Sequence, residues 1–227
     1  MNLQQKKDNS FLATEPLGKL LLKLSLPTVT AQIINMLYNI VDRIYIGHIP
    51  ENGALALTGV GVCMPLIMIV SAFAALVGNG GAPRASIFMG KGDKESAERT
   101  LGNCFTTQII VSLLLTIILF TGNRSFLMAF GASENTIPYA VAYMNIYSLG
   151  TIFVQLTLGM NAFITAQGFA RTGMLSVLVA LPATLYWILF LFFVFSYGVR
   201  GAALATIISQ ALSCAWVLNF LTGKNRI

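Results

Sequence analysis

The sequence predicts an all-α integral membrane protein of six transmembrane helices, and three observations predict it. Only 10% of the 227 residues are charged and 56% are hydrophobic, against roughly 25% charged in soluble domains. The charges cut the chain into six uncharged windows, 24–41, 52–83, 100–123, 135–170, 172–199 and 201–223. Each can hold the about 20 residues that a helical span needs. With the N-terminus placed inside, eleven of the fourteen basic residues fall on the cytoplasmic side. That is the positive-inside bias of a multi-pass protein of the cytoplasmic membrane, and it puts both termini in the cytoplasm.

Residues 1–16 are a polar cytoplasmic tail without the short apolar core and small-residue cleavage site of a signal peptide. The helical body runs from 17 to 222. Its first span carries LSLPTVTAQIINMLYNIVDRIYIGH, in which Thr28, Gln32, Asn35, Asn39 and Asp42 are spaced 4, 3, 4 and 3. That spacing draws one polar stripe along one helix face. An ionised Asp at the centre of a span costs about 2.5–3.5 kcal/mol, so such a residue ordinarily faces protein or a wet cavity. Asp42 is therefore the leading functional residue, expected to be walled off from lipid by five companion helices.

The second span opens on GALALT, and its other end, GNGGAPR, is expected to break it at the glycines and Pro83. The charged segment 91–99 then begins the third helix or lies along the inner surface. The third span is expected from about Leu101 to Thr121, followed by an outer loop whose Ser133 and Glu134 are cap candidates. The fourth is expected as one helix from Pro138 to Ile164. Tyr139, Tyr143 and Tyr147 recur on one of its faces, for packing and interface anchoring or for contact with a ligand. A tight inner turn, AQGFARTG, leads to the fifth span, and the sixth begins after YGVRG. Its GAALAT echoes the GALALT of the second span, small residues that let helices approach closely.

These contents exclude several functions. Of eight acidic residues only Asp42 lies within a span, and the one histidine, His48, lies beyond it in the outer loop. An intramembrane enzyme needs a second polar catalytic group at membrane depth, so no enzyme is expected. The glycines near the inner basic residues match no phosphate cradle preceded by a strand. Cys63, Cys104 and Cys214 sit in apolar segments without metal spacing and are expected to be buried packing residues. No cofactor and no nucleic-acid partner is expected. A carboxylate able to load and release Na⁺ or H⁺ remains.

The stretches LSLPTVTAQIINMLYNIVDRIYIGH, ALALTGVGVCMPL, GNGGAPRASIFMGKGDKESAERTLGN, FGASENTIPYAVAYMNIYSLG, GMNAFITAQGFARTGM and GVRGAALATIISQ resemble the N-terminal lobe of the multidrug and toxic compound extrusion (MATE) transporters. The likeness is to the bacterial branch that includes DinF-like and MepA-like exporters. It implies a twelve-helix, two-lobe antiporter that exports cationic or amphipathic compounds in exchange for Na⁺ or H⁺. Residues 17–222 would form its six-helix N-lobe, and 223–227 the start of the linker to a second lobe. The chain would then be half a transporter, completed by a second lobe or a second copy. The resemblance also implies an ion site in which Asp42, Tyr143 and Thr206 match the family's ligands. Asn35, Asn39 and Gln32 would line the cavity or support the ligands.

The fifth span departs from that pattern. The family's Asn and Asp, four residues apart and followed by Pro, should fall at Thr184, Ile188 and Leu189, where this chain has no carboxylate. ALPATLYWIL can be encoded so that a one-base shift of frame reads GAPGNLVLDP, with Asn, Asp and Pro restored. A local frameshift near Ala180, reversed before about Val194, would account for the departure, and the nucleotide sequence tests it. Two other readings stand beside the exporter: a relative that flips a lipid-linked oligosaccharide, and a non-transporting remnant or assembly partner.

Overall fold

In a computed structural model the described residues are 16–49, 52–178 and 198–223. They are helical almost throughout, with elements α1 (Leu17–Gly47), α2 (Gly53–Gly90), α3 (Lys94–Ala129), α4 (Ile137–Leu149), α5 (Thr151–Ala166) and α6 (Gly198–Leu221). A further helix begins at Ala170 and is described as far as 178. Among the described residues four helices are long and apolar enough to cross a membrane, and the bent pair α4–α5 adds a fifth if it is one broken span. Thr184 and Ile188, and the segment invoked for a frameshift, lie outside the described residues.

Several expected boundaries move. Residues 94–99 continue into the third span as one helix, because Asp93 caps it by accepting a hydrogen bond from the Ser96 amide at 3.0 Å. At its other end α3 runs on through Arg124 to Ala129. The expected outer loop shrinks to residues 130–136, and Gly131 turns the chain at φ +100°. The cap of α4 is Thr136, not Ser133 or Glu134. Thr136 gives no side-chain cap bond, but its hydroxyl oxygen accepts from the Ser133 amide at 2.9 Å.

The glycines of GNGGAPR do not end α2, which continues to Gly90 with Pro65 and Pro83 inside it. They serve packing. A Cβ on Gly78 would stand 2.7 Å from the carbonyl oxygen of Gly159, and one on Gly81 would run into the Cys104 sulfur. Small residues bring membrane helices together because contact, not water, drives their association. A proline or glycine inside a span is tolerated when neighbours re-satisfy the freed backbone groups. The chain instead turns at Gly92, whose φ of +77° suits a residue without a side chain.

The fourth span is not one helix. It bends by 58° between α4 and α5 at Gly150. A Cβ there would collide with the side chain of Ile207 on α6, so the missing side chain lets the bend close on its neighbour.

The bundle's centre is α2 packed on α3, α4 and α5, with α6 against α4 and α5. Two buried clusters form its core. One gathers Ile46, Val60, Leu66, Tyr143, Tyr147 and Ala203, and the other Ala85, Met160, Phe163 and Val217. Side-chain amides staple helices across this interior. Gln155 of α5 donates to the Val70 carbonyl at 2.9 Å, and Gln108 of α3 to the Ala74 carbonyl at 3.0 Å. Asn123 of α3 donates to Asn145 of α4 at 2.8 Å. Cys63 and Cys214 are buried as expected, whereas Cys104 is only half-buried. The small residues of both echoing helix starts are packed inward: Gly53, Ala56 and Gly59 on α2, and Gly201, Ala202, Ala203 and Ala205 on α6.

Candidate functional site

The last two turns of α1 are held where most of the preceding helix is not. Gly53 makes this possible, since a Cβ on it would overlap the Gly47 carbonyl and force α2 away from the end of α1. Ile49 lies 3.7 Å from the position of a Cβ on Gly198, where α6 begins. Ile46 is 1% exposed within the same cluster as Tyr143, Tyr147, Ala202 and Ala203. One turn before Ile46, Asp42 is 7% exposed.

The stripe therefore does not share one environment. Asp42 is buried, Asn39 is half-buried, and Asn35, Gln32 and Thr28 are exposed. The apolar residues around them are exposed as well, Leu26, Ile33 and Met36 among them. Asp42 is thus enclosed as expected, whereas most described side chains on the rest of α1 are half-buried or exposed. Asn39 turns its amide back on its own helix, donating to the Asn35 carbonyl at 2.8 Å.

Asp42 presents an unmet chemical demand. Its Oδ1 is buried without a hydrogen-bond partner. A buried carboxylate oxygen that accepts nothing is costly, and a proton or a metal cation relieves the cost. Among the described residues no group of three or more His, Cys, Asp or Glu converges anywhere. A cation at Asp42 would therefore complete its shell with neutral oxygens. Tyr143 is 4% exposed, and its ring stacks on that of Tyr147 with centroids 6.3 Å apart. Thr206 is half-buried, and its hydroxyl donates to the Ala202 carbonyl at 3.0 Å. The first core cluster contains Tyr143 and, on the helix of Thr206, Ala202 and Ala203, with Ile207 packed against it. Asp42, Tyr143 and Thr206 are carried by α1, α4 and α6.

The tyrosine row divides. Tyr143 and Tyr147 are buried and stacked, whereas Tyr139 is half-buried, its Cβ 3.0 Å from where a Cβ on Gly59 would stand. The sequence marks Gln155 as a polar member of the fourth span, but the buried amide of Gln108 was missed. Gln108 and Gln155 are 0% exposed and each keeps one oxygen without a partner. A polar residue within an apolar window was the available signal, but nothing local says which neighbouring carbonyl it meets.

An all-α bundle of helices long and apolar enough to cross a membrane is the architecture of multi-pass membrane proteins, in which a buried acid within a span is a functional candidate by default. The chain belongs to the MatE family, whose model matches residues 27–186. It is 24% identical over 207 residues to the multidrug export protein MepA of Staphylococcus haemolyticus, covering 91% of this chain and 45% of that protein. It is also 24% identical to an FAD transporter of Shewanella oneidensis, covering 97% and 49%. Its fold superposes on a multidrug resistance MATE family transporter in an outward-facing conformation, with a TM-score of 0.83 at 23% identity, covering 91% and 45%. The chain spans about half the length of the curated relatives it matches.

Proposed function

We propose that this chain is one lobe of a secondary antiporter that exports organic cations across the cytoplasmic membrane in exchange for Na⁺ or H⁺. Asp42 is the group both positive species compete for. The observation that carries this reading is its buried, unpartnered carboxylate oxygen at the enclosed end of an otherwise open helix. One carboxylate that accepts either the coupling ion or a cationic cargo links the two binding events with opposite sign, and linkage of that kind is reciprocal. Tyr143 and Thr206 supply neutral oxygens beside it. Asn39, Asn35 and Gln32 form the polar face that a cargo meets along α1. The exposure of that face fits a cavity closed by a second lobe or a second copy, since alternating access needs an opposing wall.

The test is resistance to cationic drugs in efflux-deficient bacteria expressing the complete two-lobe protein. Asp42→Asn keeps the size and polarity of the side chain and removes its charge. It is expected to abolish resistance at unchanged membrane expression. Undiminished efflux by that variant sinks the proposal.

A second reading is favoured by the relative from Shewanella oneidensis. It is described as an FAD transporter and matches this chain as well as the drug exporter does. On that reading the cargo is a flavin nucleotide. Uptake of labelled FAD rather than drug resistance would then depend on the chain.

A further inference from the structure

An open groove of about 520 Å³ lies between the inner ends of α2 and α3, away from Asp42. Its two ends differ in chemistry. Leu76 and Val77, with Thr107, line one end; Arg84 and Arg99 stand at the other, and Cys104 lies between them against Gly81. From Leu76 to Arg84 the groove runs about 12 Å along α2, at 1.5 Å per residue. No acid lines it. Among the described residues Arg84 forms no ion pair, and its guanidinium lies 5.8 Å from the centre of the Phe88 ring. Arg99 is bridged to Glu95 at 2.6 Å, but both side chains are about three-quarters exposed, so the bridge holds Arg99 only weakly. The floor is open because Gly80 has no side chain, and a Cβ there would meet nothing within 4 Å.

We propose that this groove binds an anionic phospholipid of the inner leaflet, its phosphodiester between Arg84 and Arg99 and an acyl chain along Leu76, Val77 and Gly80. Helix length places the basic end at the right depth. The 38 residues of α2 extend about 57 Å, well beyond a hydrocarbon core about 30 Å thick. The ends of α2 and α3 therefore stand among the headgroups, on the side that the basic residues mark as cytoplasmic. A basic pocket between helices at that level is the chemistry that selects acidic headgroups. Guanidinium pairs phosphate oxygens in a fixed fork, and the apolar end adds affinity only for an anion that also carries an acyl chain. The site is independent of the transport reading and uses none of its residues.

Native mass spectrometry of the full chain in mild detergent tests the proposal, with phosphatidylglycerol and phosphatidylcholine supplied equally. Phosphatidylglycerol is expected to be retained on the order of tenfold better. Arg84→Gln with Arg99→Gln should bring the two lipids to parity. Glu95→Gln, which releases Arg99, should raise phosphatidylglycerol retention, a gain that misfolding does not produce. Gly80→Leu should remove both lipids from the groove. Gly61→Leu, on another open stretch of α2, should behave as the unaltered chain. An unchanged preference in the double arginine variant or in Gly80→Leu overturns the proposal. So does full competition by glycerol phosphate, which would mark a soluble-anion site. Disulfide crosslinking through Cys104 between two copies would show that protein covers the groove and would overturn it equally.

Discussion

Gln155 shows how little a buried polar residue must do to be kept in this bundle. Its amide nitrogen bonds the Val70 carbonyl and its oxygen bonds nothing. Interhelical hydrogen bonds in membranes average about 0.6 kcal/mol and reach about 1.7 kcal/mol. Gln155→Met keeps the length and removes both the bond and the orphan. It should lower stability by no more than about that upper figure, read by thermal unfolding in detergent. A loss several times larger would mean that a water or ion sits on the orphaned oxygen. Asp42 is the contrasting residue, because its stranded atom belongs to a carboxylate and has no neighbouring carbonyl staple to justify it. The sequence made this residue visible: an acid ending a polar stripe in an uncharged window is legible from spacing alone. The enclosure of its last turns was not legible. Periodicity says which residues share a face, and the cover over that face comes from chain far away, here α2 and α6.

At the scale of elements, glycine decides more than hydrophobicity does. Gly78 and Gly80 are two residues apart on α2, yet one touches Gly159 and the other touches nothing. Gly78→Ala should destabilise the crossing of α2 and α5 by about 1–3 kcal/mol, the usual cost of overpacking. Gly80→Ala should be neutral or stabilising through helix propensity. Equal melting temperatures for the two variants would contradict the packing described. The cap of α3 gives a pH prediction. Asp93 is exposed, and its hydrogen bonds with Ser96 hold its carboxyl below the ordinary value of 3.8. A lowered value means that the cap's contribution is complete above 3.8 and lost as pH falls through the lowered value. Hydrogen exchange at the first turn of α3 should accelerate over that acid range, and Asp93→Asn should flatten the dependence. The same elements show why some boundaries were misread. GNGGAP is a turn signal in water, where glycine frees the chain. Inside a membrane bundle the same residues let backbones touch, and the helix continues. The bend at Gly150 was not legible in a continuous apolar window, because the neighbour it closes on, Ile207, is 57 positions away.

On the scale of the whole molecule, the lobe is a packed core with one helix partly detached from it. The four or five candidate spans among the described residues each cover an uncharged window, because the cost of charge in lipid is read directly from composition. The stand-off of α1 is a different matter. Exposed Leu26, Ile33 and Met36 beside exposed Gln32 and Asn35 give a surface neither purely lipid-facing nor purely aqueous. On the proposed reading that mixture suits a helix at the border between a lobe and a cavity. The claim that unites these scales is that the carboxylate of Asp42 exchanges a coupling ion for a cationic cargo. Substrate-induced ion release from the purified complete protein measures it most directly. Adding tetraphenylphosphonium to protein equilibrated with ²²Na⁺ in weakly buffered detergent should displace either sodium or protons, and Asp42→Asn should displace neither. Release of the same ion in the same amount by Asp42→Asn would contradict the account.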